Sequence, residues 1–252
     1  MLEQRNNNTG IFAGQRGASA GAGSITIDAE TARIFMSKVF SWMAIGLAIT
    51  AFVAWAFASS EQLIGLLVSE SGMNLMGYVV MFAPFALVLL MSFRFEKMSS
   101  GTITLLFGGF SILMGMSLSF ILLTFTASSV FQTFAVTAGM FGTMAIIGYT
   151  TKTDLSKFGA YLYMALIGLI LASVINWFMQ SSTMEYIISF AGVLIFTGLT
   201  AYDTQKLKRI GSNSEAHGQE RTNKLVIMGA LTLYLDFINL FLFLLRFLGD
   251  RR

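Results

Sequence analysis

Residues 99–150 read SSGTITLLFGGFSILMGMSLSFILLTFTASSVFQTFAVTAGMFGTMAIIGYT, and no charged side chain interrupts them. One membrane crossing needs about 20 apolar residues at a helical rise of about 1.5 Å. This stretch holds two such lengths, and the cluster from Thr124 to Ser129 suits a turn between them. It therefore reads as two antiparallel spans, Ile103–Leu123 and Val130–Thr150. A bilayer core offers no water to satisfy peptide groups, so helix is expected throughout, with Pro84 as the one proline available to kink it.

Working outward, further apolar runs lie at Val39–Ala58, Leu75–Phe93, Phe158–Met179, Tyr186–Tyr202 and Leu225–Leu245. With helical flanks, the last two extend to about 186–207 and 225–246. The expectation is an all-α integral membrane protein with seven transmembrane helices and short connections. Composition agrees: 55% of residues are apolar and 12% charged, and mean hydropathy is +0.72. A soluble domain carries about 25% charged residues, so a water-soluble core is excluded. There are no cysteines, which removes disulfides, thiolate metal sites and cysteine catalysis.

Residues 1–37, with Asn6-Asn7-Asn8 and the Gly/Ala clusters between Gly14 and Gly23, read as a flexible cytoplasmic arm ahead of a single membrane domain at 38–252. The first long apolar run begins only at Val39, so no cleaved secretory signal is expected. Net charge is +3. The basic residues sit in connections beside apolar spans, so they report topology rather than a nucleic-acid partner. All Lys and Arg except Arg246, Arg251 and Arg252 fall in the arm or in the second, fourth and sixth connections. The positive-inside rule therefore puts the N-terminus and those connections in the cytoplasm. The basic tail conflicts with seven crossings; a re-entrant last segment would return it to the cytoplasm, and seven crossings is the expectation retained.

Small residues inside the spans, among them Gly108, Gly109, Gly115, Ser119, Gly139, Gly142 and Gly148, predict close helix packing. The 16 Met and 24 Phe read as lipid-facing or core filler. His217, the single histidine, falls in the polar sixth connection and reads as a solvated side chain.

Two carboxylates interrupt the spans: Asp203 closes the sixth and Asp236 divides the seventh. A carboxylate at depth costs about 2.5–3.5 kcal/mol on insertion scales and so faces a bundle interior, where it serves a function. If the sixth helix continues to Ile210, Asp203 lies about 10 Å from its cytoplasmic end and Asp236 about 16 Å beyond Leu225. The two can meet, share a proton and titrate as a unit, a pH-controlled latch. Helical spacing puts Thr232, Asp236, Asn239 and Arg246 on one stripe with Phe243, a candidate pathway lining.

The strings Thr197-Gly198-Leu199-Thr200-Ala201-Tyr202-Asp203-Thr204-Gln205 and Thr232-Leu233-Tyr234-Leu235-Asp236-Phe237-Ile238-Asn239-Leu240-Phe241, with Gly148-Tyr149-Thr150 upstream, resemble the Bax inhibitor-1 family in its bacterial inner-membrane branch. The resemblance covers roughly residues 30 to 252. It implies six helices around a central seventh, no enzymatic activity, no cofactor, and a pH-sensitive calcium leak with Asp203 and Asp236 as a di-aspartyl latch. On that reading the pair holds Ca²⁺ weakly and transiently as the permeant ion. The resemblance also implies a latch arginine near the cytoplasmic end of the second helix, for which Arg94 is the nearest candidate. Bacterial relatives imply a regulatory link to a membrane-anchored ATP-dependent protease. The chain is taken as a monomer whose surroundings are the lipid bilayer. No acidic loop has EF-hand spacing.

Paired aspartates in two helices also resemble presenilin-like intramembrane proteases, and Tyr202-Asp203 matches the first half of that pattern. The second half asks for glycines three and one residues before the aspartate, where this chain has Leu233 and Leu235. A zinc protease motif is absent, and a serine-histidine dyad has no histidine within a span.

Overall fold

The structure is a computed structural model that describes residues 16–69 and 72–251, with side chains described from Ala29 onward except those of Glu215 and His217. In chain order it comprises α1 (Arg16–Ala58), a short α2 (Glu61–Ile64), β1 (Val68–Ser69), β2 (Gly72–Met73) and α3 (Leu75–Phe93). There follow α4 (Ser100–Thr124), α5 (Ala127–Thr150), α6 (Ser156–Met179), α7 (Ser182–Ser212) and α8 (Gln219–Leu248). Seven helices are long and apolar enough to cross a membrane: α3 to α8, and α1 from Ala29 onward. The protein is an all-α membrane protein; its only strands among the described residues are the two-residue pair β1–β2 in the first connection.

The helix starts fall where polar residues interrupt the apolar text. Asn74, Ser99, Thr126 and Ser181 each accept a hydrogen bond from a backbone N–H one turn into α3, α4, α5 and α7. Such caps satisfy donors that the helix itself cannot. Thr126 lies inside the cluster at which residues 99–150 were divided.

The expected arm needs correction at its membrane end. Helix α1 is continuous through Val39 from Arg16, and Ala32, Phe35 and Met36, all ahead of Val39, are almost fully buried. Charged Glu30, Arg33 and Lys38 hid that stretch from an apolar-run criterion. The pairing of Glu30 with Arg33 at 2.8 Å on the exposed side leaves the opposite face free to pack. Residues 1–15 of the expected arm lie outside the described residues.

Helix α8 is the centre of the bundle: 67% of its most apolar window is buried, against 17% for α6. It packs directly against α1, α4, α5 and α7, while α3 is held chiefly by α4 and α6 by α7. The outer helices turn Phe, Ile, Leu and Trp outward, as at Phe85, Phe131 and Trp177. In a bilayer such faces meet lipid.

The tail resolves the topological conflict. Thr126 N–H donates to the Asp250 carbonyl at 3.1 Å, Asp250 N–H donates to Ser129 Oγ at 2.9 Å, and Arg251 pairs with Glu185 at 3.1 Å. The C-terminus therefore lies with the α4–α5 and α6–α7 turns, opposite the basic connections, and α8 crosses fully. A re-entrant last segment is overturned. Glu185 also lies 3.9 Å from Arg246, so one carboxylate faces both cations of the described tail.

Small residues divide into two groups. A Cβ at Gly115 would meet the Thr50 carbonyl at 2.7 Å, and one at Gly148 would collide with the Ala201 carbonyl, so α1–α4 and α5–α7 approach at these points. Gly108, Gly109, Gly139 and Gly142 have nothing within 4 Å of that position. For these four the expectation of close packing is corrected: they face open space. His217 ends a 3-10 turn, Ser214–His217, before α8; its side chain lies outside what is described.

A buried carboxylate pair between the last two helices

Asp203 and Asp236 reach the interior because their helices are the two most buried in the bundle. On α7, Gly148 of α5 lets the Ala201 backbone come close, which turns the face bearing Asp203 toward α8. On α8, Leu233 and Tyr234 are fully buried and lock the helix in rotation. Asp203 and Asp236 are then 2% and 5% exposed; both border one cavity, close enough for each to act on the other's charge. Asp236 Oδ2 is buried with no hydrogen-bond partner among the described residues. A carboxyl–carboxyl contact is attractive only with a proton between the two groups.

A third helix contributes. Tyr163 of α6 donates its hydroxyl to Asp203 Oδ1 and Oδ2 at 3.3 and 3.4 Å, and its ring meets Tyr202 edge-on at 5.9 Å. Gly159, one turn earlier, leaves room for the Tyr202 ring. The field of Lys206, one turn from Asp203 on α7, acts on both aspartates. Sequence reasoning missed Tyr163 and Lys206. Tyr163 is unremarkable within its apolar run, and Lys206 reads as a positive-inside residue.

The pair borders a cavity of about 660 Å³ between α3, α6, α7 and α8. Of the stripe drawn on α8, Thr232, Asp236, Asn239 and Phe243 face this cavity. Arg246 does not; it sits at the far end of α8 over the Phe243 ring and near Glu185, so its place in the pathway lining is corrected. Arg94 caps the C-terminal end of α3, exposed, with no ion pair among the described residues, and its charge is not among those acting on either aspartate. The structure does not bring it to the pair, because α3 packs chiefly on α4 and delivers its end to the rim.

The cavity runs from the pair toward Trp177, about 21 Å along α6 from Tyr163. On the other side of the pair, toward the basic connections, Leu207, Val226 and Ala230 are buried and the passage is packed shut. That end is also tied. Gln205 accepts from Leu155 N–H at 2.9 Å and donates to the Thr153 carbonyl at 2.7 Å, and Glu220 takes both the N–H and hydroxyl of Ser100. Among the described residues no three His, Cys, Asp or Glu side chains cluster as a metal cage.

Fold and site together define a class: a polytopic helical membrane protein with an interior carboxylate pair between its last two spans, at the base of a one-sided cavity. Within that class the chain belongs to the Bax inhibitor-1 family. The family profile described as inhibitor of apoptosis-promoting Bax1 matches residues 32–252. Inner membrane protein YbhL of Escherichia coli (strain K12) is 49% identical over 218 residues, covering 86% of this chain and 92% of the relative. An uncharacterized protein of Rickettsia prowazekii is 42% identical with 88% and 92% covered. An uncharacterized membrane protein of Streptococcus pyogenes is 38% identical with 85% and 92% covered.

Proposed function

We propose that this protein is a pH-sensitive calcium leak of a bacterial inner membrane, with Asp203 and Asp236 as its latch. The reading rests chiefly on one observation: a buried carboxyl pair at the base of a cavity whose continuation toward the basic end is packed shut. With a proton between them the carboxyls hold α7 to α8. Without it, two like charges a few ångströms apart repel and loosen the packed layer. The ionised groups then attract a hard cation. Asp203, Asp236, Thr232 and Asn239 line the cavity with oxygen, the ligand type that calcium takes. Two carboxylates hold it weakly, as conduction requires.

The charge distribution supports an N-terminus in the cytoplasm, and on that reading the cavity faces away from it. The name of the Escherichia coli relative supports an inner-membrane location. The latch is a conformational role, and no hydrolytic step is assigned to the aspartates.

The test is flux into liposomes loaded with a calcium dye, compared from acid to alkaline pH for wild type and Asp236→Asn. Flux through the wild type should rise with pH, and the variant should give a flat profile. Equal, pH-independent flux in both, or none in either, would refute the reading.

A further inference from the structure

On the side of the bundle away from the carboxylate pair, α1 and α5 leave a cavity of about 590 Å³, bordered by Met36, Phe40, Phe141, Gly142, Ala145 and Ile146. Its α5 wall runs from Phe141 to Thr150, about 14 Å along the helix. At the basic end the wall changes character within one turn. Arg33 and Tyr149 close the apolar cavity. The next residues along each helix, Ala32 on α1 and Thr151 and Lys152 after α5, border a second cavity of about 270 Å³ together with Lys208 and Arg209 of α7. Tyr149, which lines the first space, touches Lys208, which lines the second: its carbonyl accepts from Lys208 Nζ at 2.8 Å and its ring lies 4.7 Å from that nitrogen.

We propose that this pair of cavities is a binding site for one anionic phospholipid, with the acyl chain between α1 and α5 and the phosphate against Lys152 and Lys208. The charge balance selects the ligand. Arg33 is paired with Glu30 and Arg209 with Asp154. Lys152 and Lys208 form no ion pair among the described residues, so the paired charges leave the head-group cavity with net positive charge. The apolar cavity lies between two spans, within reach of bilayer lipid and at the depth of acyl chains, and basic pockets between transmembrane helices hold anionic head groups in this manner. A free anion has no use for the apolar half, and a zwitterionic lipid brings its own cation beside the phosphate, which offsets the attraction of the two lysines. The site is independent of the aspartate pair.

Native mass spectrometry of the full chain in detergent, titrated separately with phosphatidylglycerol, phosphatidylcholine and inorganic phosphate, tests this. One phosphatidylglycerol should bind in preference to phosphatidylcholine. The Lys152→Gln, Lys208→Gln double variant, which keeps a donor for the Tyr149 carbonyl, should lose that preference by roughly 30-fold, at about fivefold per lysine. Gly142→Phe should weaken both lipids, because a side chain there enters open space inside the groove. Equal binding of the two lipids, a preference that survives the double variant, phosphate binding as tight as the lipid, or unchanged binding in Gly142→Phe would each overturn the proposal. Thermal unfolding of both variants checks that they fold; a variant that does not is replaced by Lys152→Gln alone or Gly142→Leu, read by the same criteria.

Discussion

Gly142 and Gly148 both lie on α5, six residues apart in the sequence and on different faces, and differ in what surrounds them. A Cβ added at Gly148 would sit 2.8 Å from both the carbonyl carbon and the Cα of Ala201, where ordinary contact begins at 3.4 Å. Even the carbon contacts fall short by about 0.6 Å, and the obstacle is backbone on a buried helix that cannot rotate away. At Gly142 nothing lies within 4 Å. Alanine raises helix propensity at either position by about 0.5–1 kcal/mol, so that gain cancels in the comparison. What remains is the overpacking cost at Gly148, about 1–3 kcal/mol. Gly148→Ala should therefore be less stable than Gly142→Ala by about that amount. The measurement is reversible unfolding in mixed micelles titrated with SDS, followed by circular dichroism. Because Ala201 lies two residues before Asp203, Gly148→Ala should also alter the calcium flux profile while Gly142→Ala leaves it intact. Equal stability of the two variants would refute the close approach of α5 to α7 on which the placement of Asp203 depends.

Tyr234, fully buried, shares a hydrogen bond of 2.8 Å with Thr50 Oγ1, which donates onward to the Ser111 carbonyl at 2.8 Å. Tyr234→Phe should cost about 0.6–1.7 kcal/mol in the same unfolding assay, the range for such bonds in membranes, without flattening the flux profile. Asp154 lies between spans; hydrogen bonds from the Ser156 hydroxyl and N–H, and then the Arg209 guanidinium, hold its carboxyl below the usual carboxylate range. A depressed value in the fold means that the contribution is present above the unfolded value of about 3.9 and lost as pH falls below it. Asp154→Asn should accordingly show the same deficit at pH 5 and pH 8, shrinking only below about pH 4; a deficit that changes between pH 5 and 8 would contradict this. Because the chain has no cysteine, Arg251→Cys and Lys97→Cys give unambiguous labelling. An impermeant thiol reagent applied outside the cell should reach the first and not the second, and labelling of both from one side would contradict seven crossings.

Much of the fold is legible one residue at a time, because the bilayer tests each helix separately. A run such as Leu75–Phe93 must satisfy its own peptide groups and is apolar over its whole length, so its limits are visible in the sequence and recur unchanged in the structure. Where a helix is amphipathic the limits blur. Residues 29 to 37 fall within the expected arm because Glu30 and Arg33 interrupt any apolar run there, although Ala32, Phe35 and Met36 pack inside. The glycines show the same divide: their composition suggested contact everywhere, yet only helix placement distinguishes Gly148 from Gly142.

By itself the sequence determined the class, the number of crossings and the two aspartates, since burying a charge in a bilayer is expensive enough to mark a residue without knowledge of its neighbours. Tertiary structure decided what depends on distances between helices. It placed Tyr163 at Asp203, left Arg94 at the rim, and moved Arg246 from the expected pathway to a contact with Glu185. It also set the basic tail beside the α4–α5 turn. Helical periodicity fixes the face on which a side chain emerges, whereas the identity of its partner depends on which helix the packing of the whole bundle brings opposite that face.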